Sequence, residues 1–190
     1  MSAIIIQTAW GKYQKMLDLT KSATNSYCHR HKINHTSYSG QFLDGYFDKP
    51  YLIRKNLTLF DLIVWMDTDC FIARDVDLRE VPIKEDEIGV CHYETPVPHH
   101  NTGVVYVRPG ERVNKLIGKW LAGCPCEDKW KDQRVFNDIA NECVVTIPDE
   151  WNSCHINPVE NPIIKSYHGQ YGSFEDKFAV MKDGFERNKL

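Results

Sequence analysis

The segment Leu62-Ile63-Val64-Trp65-Met66-Asp67-Thr68-Asp69-Cys70-Phe71-Ile72 decides how this chain reads. Its first five residues are continuously apolar. The run is too short for a buried helix and lacks the polar alternation of a half-solvated strand, so it predicts a strand covered on both faces. Two carboxylates follow at once, one residue apart, and then another apolar pair. A turn-forming Asp ends many buried strands and accounts for one of the two. The second, beyond Thr68, crowds like charges at a sheet edge, which costs free energy unless a cation offsets it. Oxygen donors of this kind suit Mg²⁺ or Mn²⁺, ions that keep positions open for water and phosphate oxygens.

Around that strand, β and α signals alternate. Residues 3–8 form an apolar, β-branched run. Tyr13, Met16, Leu17, Thr20, Ala23 and Tyr27 then follow helical spacing over about 12–30. A short polar strand is expected at 32–38, and Pro50 opens a helix carrying Leu52, Ile53, Leu57 and Phe60. Further strands are expected at Ile88–His92, Thr102–Val107, Cys143–Ile147 and Ile163–Tyr167. Helices are expected around Val113–Leu121, around Trp130–Ala140, and through Phe174, Phe178, Met181 and Phe185. The pattern is that of an α/β domain, parallel at its centre.

Composition narrows the class. The 190 residues suit a single domain, 1–190, and 42% hydrophobic with 26% charged residues excludes a disordered or low-complexity chain. Lys and Arg number 23 against 26 Asp and Glu, a net −3, so no nucleic acid or anionic membrane surface is indicated as partner. The first residues read as a buried strand, and no stretch has the roughly 20 apolar residues of a membrane helix. With seven irregularly spaced cysteines, the expectation is a soluble cytoplasmic protein with reduced thiols and no membrane anchor. Cys124-Pro125-Cys126 lacks the two-residue spacer of a zinc knuckle.

In open α/β sheets, ligands gather outside the carboxyl ends of the strands. That directs attention to Thr8–Trp10, Asp67–Asp69, Glu94, Arg108, Asp149 and His168. Three later segments add polar groups at such places. His100-Asn101-Thr102-Gly103-Val104 puts an amide and a glycine at the mouth of a strand. Lys131-Asp132-Gln133 puts an acid–amide pair at a helix start, and Tyr167-His168-Gly169 puts an imidazole after an apolar strand.

In that order the four motifs resemble those of metal-dependent GT-A glycosyltransferases, closest to retaining galactosyl-, xylosyl- and glycogenin-like families. The small, anchorless form is more similar to bacterial or large-virus members than to Golgi ones. The resemblance implies a Rossmann-like α/β/α sandwich with a mostly parallel central sheet. It implies transfer of a sugar, hexose or deoxyhexose, from a UDP-sugar to a hydroxyl acceptor such as a glycan, with Mn²⁺ (or Mg²⁺). Under it, Asp67, Asp69 and His168 hold the metal, and Asp67 and Thr68 lie beside the donor. Thr8, Ala9 and Trp10 meet uracil and ribose, with Tyr13 as an alternative stacking residue. Arg54 or Lys55 touches the nucleotide, Asn101 lines the sugar pocket, and Asp132 and Gln133 stand near the anomeric carbon. The Lys-Pro-Trp that often follows the late histidine in glycogenin-like members is missing, which leaves Lys165 and Lys177 as candidate diphosphate contacts. Two other readings are a non-catalytic carbohydrate- or metal-binding module and a sugar nucleotidyltransferase. The latter calls for a glycine-rich basic loop where this chain has only Gly11 and Lys12.

Overall fold

The computed structural model describes residues 1–40, 47–93, 99–125, 131–168 and 171–188, with Lys131 described by its backbone alone. Its elements in chain order are β1 (Ala3–Ala9), α1 (Gln14–His31), β2 (Asn34–Ser39), α2 (Asp48–Asn56), β3 (Leu62–Met66), β4 (Cys70–Ile72), β5 (Glu87–Tyr93), β6 (His99–Arg108), α3 (Glu111–Ala122), α4 (Lys131–Ile139), β7 (Val144–Thr146), β8 (Ile164–Ser166) and α5 (Phe174–Asn188). The second strand starts later than expected, because Lys32 takes the left-handed conformation that stops α1.

Six strands form the central sheet in the order β2-β1-β3-β6-β5-β7. All run one way except β6, which is antiparallel to both β3 and β5. The apolar residues divide between the two faces with the period of two that strands impose. Ile5, Leu62, Val64, Met66, Val104 and Tyr106 pack on α1 with Tyr27, Leu78 and Trp151. Ile4, Ile6, Ile63, Trp65, Val105 and Val107 pack on the other face against Leu52 and Ile53 of α2, Val113, Leu116, Ile117 and Trp120 of α3, and Phe136 of α4. Helices on both faces of a mostly parallel sheet make the expected α/β/α sandwich.

Two corrections bear on function. Because β6 runs backwards, its start at Asn101–Gly103, and not its end at Arg108, lies beside the end of β3, with Val104 opposite Met66 and Val107 opposite Ile63. Arg108 is therefore removed from the carboxyl-end site and bonds the Arg79 carbonyl near Met1. Second, Ile164–Ser166 does not join the central sheet. It pairs antiparallel with Cys70–Ile72 in a separate two-stranded ribbon, which packs through Phe71 and Tyr167 on Met16 of α1 and on Met181 and Phe185 of α5. The described cysteines are free thiols. Cys126, Glu94, Pro96–Pro98 and Trp130 lie outside the described residues. No helix among the described residues is long and apolar enough to cross a membrane.

Candidate functional site

The chain delivers its acids by a turn. The backbone N–H of Asp67 donates to the Gly103 carbonyl at 2.8 Å, extending the β3–β6 ladder one residue past β3, and the N–H of Cys70 then closes on the Asp67 carbonyl at 3.1 Å. The carbonyl of Asp69 accepts the N–H of Tyr167 at 2.9 Å, which draws the residue after it, His168, alongside the acid pair. The ribbon formed by β4 and β8 is thus the device that joins two distant motifs. Between this turn, the end of β1 and the start of α2 lies a cavity of about 180 Å³. It is lined by Thr8, Trp10 and Tyr13, by Trp65, Asp67, Thr68 and Asp69, and by Lys49, Asp132 and Lys177.

Three carboxylates and two ammonium groups interleave there. Asp69 Oδ2 takes the Lys177 ammonium at 2.5 Å, while Oδ1 lies 3.6 Å from His168 Nδ1. Burial alone would raise the Asp69 pKa, but Lys177 and His168 outweigh it and hold the carboxyl well below the usual carboxylate range. Asp67 Oδ1 accepts the indole N–H of Trp65 at 2.6 Å and lies 3.5 Å from Lys49 Nζ. Lys49, only 4% exposed, donates to the Thr102 carbonyl at 2.7 Å and pairs with Asp132 at 2.9 Å. Burial disfavours its charge, yet Asp132 and Asp67 keep its pKa above the ordinary lysine value. Asp132 is pushed up, first by burial and then by the charge of Asp67.

Several features fit a divalent cation. Asp69, Cys70 and His168 each bring a ligand atom within 4.8 Å of the others. His168 Nε2 is buried with no hydrogen-bond partner among the described residues. A Cβ on Gly103 would sit 2.1 Å from His168 Cε1, so the glycine makes room for the ring. Carboxylate oxygens and imidazole nitrogens are both common donors to divalent ions. Asp67 lies at the same cavity, its side chain 36% exposed.

The other expected residues divide. Thr8, Trp10 and Thr68 line the cavity, and Thr8 Oγ1 is buried with no partner among the described residues. Ala9 points to the opposite face of β1, as its odd position between them requires, and is fully buried. Tyr13 lines the cavity while also packing edge-on against Phe174. Asn101 stands one layer back, its Oδ1 accepting from the Gly103 N–H and from Asn152 Nδ2, both at 2.9 Å. Gln133 is turned to the backbone, its Oε1 accepting the Thr102 N–H at 3.1 Å, while Asp132 faces the cavity. Asp149 bonds Asn157 away from the cavity, and Lys165 faces Phe71 in the ribbon register while Lys177 reaches Asp69.

Neither Arg54 nor Lys55 lines the cavity. They follow Lys49 by five and six residues, which turns them about 140° and about 120° from it around α2. Arg54 lies against Gly118 of α3, and Lys55 lies over the Tyr51 ring. Besides Lys177, the cavity is lined by a second basic residue, Lys49, which the sequence reading missed. Its signal was a cation in the first helical turn, where the helix dipole opposes it and a carboxylate partner is called for.

The sequence profile of nucleotide-diphospho-sugar transferases matches residues 50–164. No curated protein sequence matches the chain. Among solved structures, it is similar to a glycosyltransferase involved in glycosylating the major capsid of PBCV-1, with a TM-score of 0.70 at 15% identity over 98% of this chain and 100% of that one. It is also similar to the galactosyltransferase LgtC, solved with donor and acceptor sugar analogues, with a TM-score of 0.67 at 11% identity over 98% and 100%. The glycosyltransferase GlyE of Streptococcus pneumoniae TIGR4 gives 0.66 at 13% identity, covering 98% of this chain and 64% of its own. At such identities the likeness establishes the fold, the GT-A sandwich.

Proposed function

The chain belongs to the nucleotide-diphospho-sugar transferase family, and from that premise we propose that it moves a sugar from a UDP-sugar to a hydroxyl of a glycan acceptor, with retention at the anomeric carbon. The observation that carries this reading is the cavity at the carboxyl end of β3, where Asp67, Asp69 and Asp132 interleave with Lys49 and Lys177. That alternation offers ammonium donors to a diphosphate and carboxylates to a cation and to sugar hydroxyls.

In this reading, Trp10 and Tyr13 wall the uracil, and the partnerless Thr8 hydroxyl bonds the nucleoside. Lys177 keeps two ammonium hydrogens free of Asp69 to meet the diphosphate as the bond from the anomeric carbon to the β-phosphate oxygen breaks. Lys49 fixes the direction of Asp132, which accepts from hydroxyls of the sugar. Asp67, Asp69 and His168 would hold a divalent ion, Mn²⁺ or Mg²⁺, which would supply Lewis-acid stabilisation to the leaving diphosphate. Retention is favoured because inversion needs a carboxylate base at the acceptor. Among the described residues, each carboxylate lining the cavity lies against a lysine ammonium.

The test is a panel of nucleotide sugars with Mn²⁺, scored for donor hydrolysis without acceptor and then for the anomeric configuration of the first product by proton NMR. UDP-sugar turnover that falls by about a hundredfold or more in Asp69→Asn supports the reading. Undiminished metal-dependent turnover in that variant rejects the assignment of the metal site.

A further inference from the structure

We propose that Cys70 completes a mixed site with Asp69 and His168 that takes a thiophilic divalent ion, such as Zn²⁺, Co²⁺ or Cd²⁺, through a thiolate, a carboxylate oxygen and an imidazole nitrogen. The spacing carries the proposal. Cys70 Sγ lies 3.6 Å from Asp69 Oδ1, and the same Oδ1 lies 3.6 Å from His168 Nδ1. Metal bonds of about 2.0 Å to oxygen, about 2.1 Å to nitrogen and about 2.3 Å to sulfur give tetrahedral edges of about 3.3 to 3.5 Å. The two edges at Asp69 Oδ1 are already near those lengths, and all three ligand atoms lie within 4.8 Å of one another, so the sulfur and the imidazole would draw together on the ion. Among the described residues, no other group of three His, Cys, Asp or Glu side chains brings its ligand atoms this near.

The Cys70 thiol donates weakly to Asp69 Oδ1 and to the Gly103 carbonyl, contacts that coordination would replace. Lys177 engages Oδ2 of Asp69, so Oδ1 is the oxygen turned towards Cys70 and His168. Ser166 Oγ lies 3.2 Å from the sulfur but donates its own proton to Asn152 Oδ1, so it does not occupy a sulfur lone pair. Gly103 holds open the space in which the imidazole sits. Coordination forms a metal–sulfur bond and sends the thiol proton to solvent, with no change of oxidation state. The sulfur shifts selectivity: oxygen-preferring Mn²⁺ makes little use of it, whereas Zn²⁺, Co²⁺ and Cd²⁺ bind it strongly. Zinc would then compete with manganese at one carboxylate, which makes it an inhibitor of a manganese-dependent reaction here. The ligand set stands apart from the question of which sugar donor is used.

The experiment titrates metal-free full-length protein with Co²⁺ and with Cd²⁺ while recording the ultraviolet thiolate-to-metal charge-transfer bands, and measures Mn²⁺ separately by electron paramagnetic resonance. The wild type is expected to show both bands at one equivalent. Cys70→Ser is expected to lose them and to bind Zn²⁺ about tenfold or more weakly, with Mn²⁺ affinity unchanged. Cys70→Ala replaces it if the serine variant does not fold. No band in the wild type overturns the proposal, as does a band that survives in the variant. Mn²⁺ binding without either band would leave the transferase reading standing while this one fails.

Discussion

Replacing Lys49 with Met is the sharpest test of how the cavity is held together. The ammonium sits 2.9 Å from Asp132 and 3.5 Å from Asp67, is 4% exposed, and also donates to the Thr102 carbonyl. At an effective dielectric constant near 20, the closer pair attracts by about 6 kcal/mol, which roughly offsets the several kcal/mol needed to desolvate each ion. The pair therefore adds little net stability, yet removing one member strands the other. Lys49→Met is expected to cost about 3 to 5 kcal/mol in urea unfolding of the ligand-free protein at neutral pH. Adding Asp132→Asn removes the stranded charge and should recover about half of that loss, so the double variant should be destabilised by less than the sum of the two single variants. The deficit of the single variant should also shrink on acidification, because a buried Asp132 that has lost its cation takes up a proton more readily. A loss below about 1 kcal/mol, or two substitutions whose effects simply add, would refute the claim that Lys49 and Asp132 are a coupled buried pair.

Gly103→Ala drives a methyl group into the His168 ring, whose Cε1 would lie 2.1 Å away. Mn²⁺ affinity by electron paramagnetic resonance should fall about tenfold or more, while far-ultraviolet circular dichroism stays unchanged. His35, half-buried beside Gln7 and Asn25, has its pKa lowered by burial, and then by Lys21, to about 4. The unfolded chain therefore binds the extra proton first, and stability falls as pH drops from about 6.5 towards 4, by about 1.4 kcal/mol per unit of the shift. His35→Gln should flatten that part of the stability–pH curve, and a slope that persists shows that another group is responsible.

What the sequence disclosed was what is local. Leu62–Met66 declares a doubly covered strand by five consecutive apolar residues, and Asp67 and Asp69 follow within the same window, so both strand and acid pair were legible. The direction of β6 was not. A strand covered on both faces has the same apolar pattern whichever way it runs, so Arg108 was assigned to the wrong end of the sheet. The ribbon of Cys70–Ile72 with Ile164–Ser166 was equally hidden, since three residues are too few for a period to show and the partner is remote in the chain. Yet that ribbon brings His168 to Asp69. Lys49 was missed because its meaning lies in Asp132, a partner on another helix. The period of two would have separated Ala9 from Thr8 and Trp10, had it been applied to the end of β1.

If the proposed function holds, the cation and the diphosphate of a nucleotide meet at Asp69. A crystal of the protein grown with UDP and Mn²⁺, measured at the manganese absorption edge, tests it directly. The anomalous peak should lie against Asp69 and His168, with phosphate oxygens beside Lys177 and the uracil against Trp10. Manganese and nucleotide bound elsewhere, with Asp69 still closed on Lys177 alone, would contradict it.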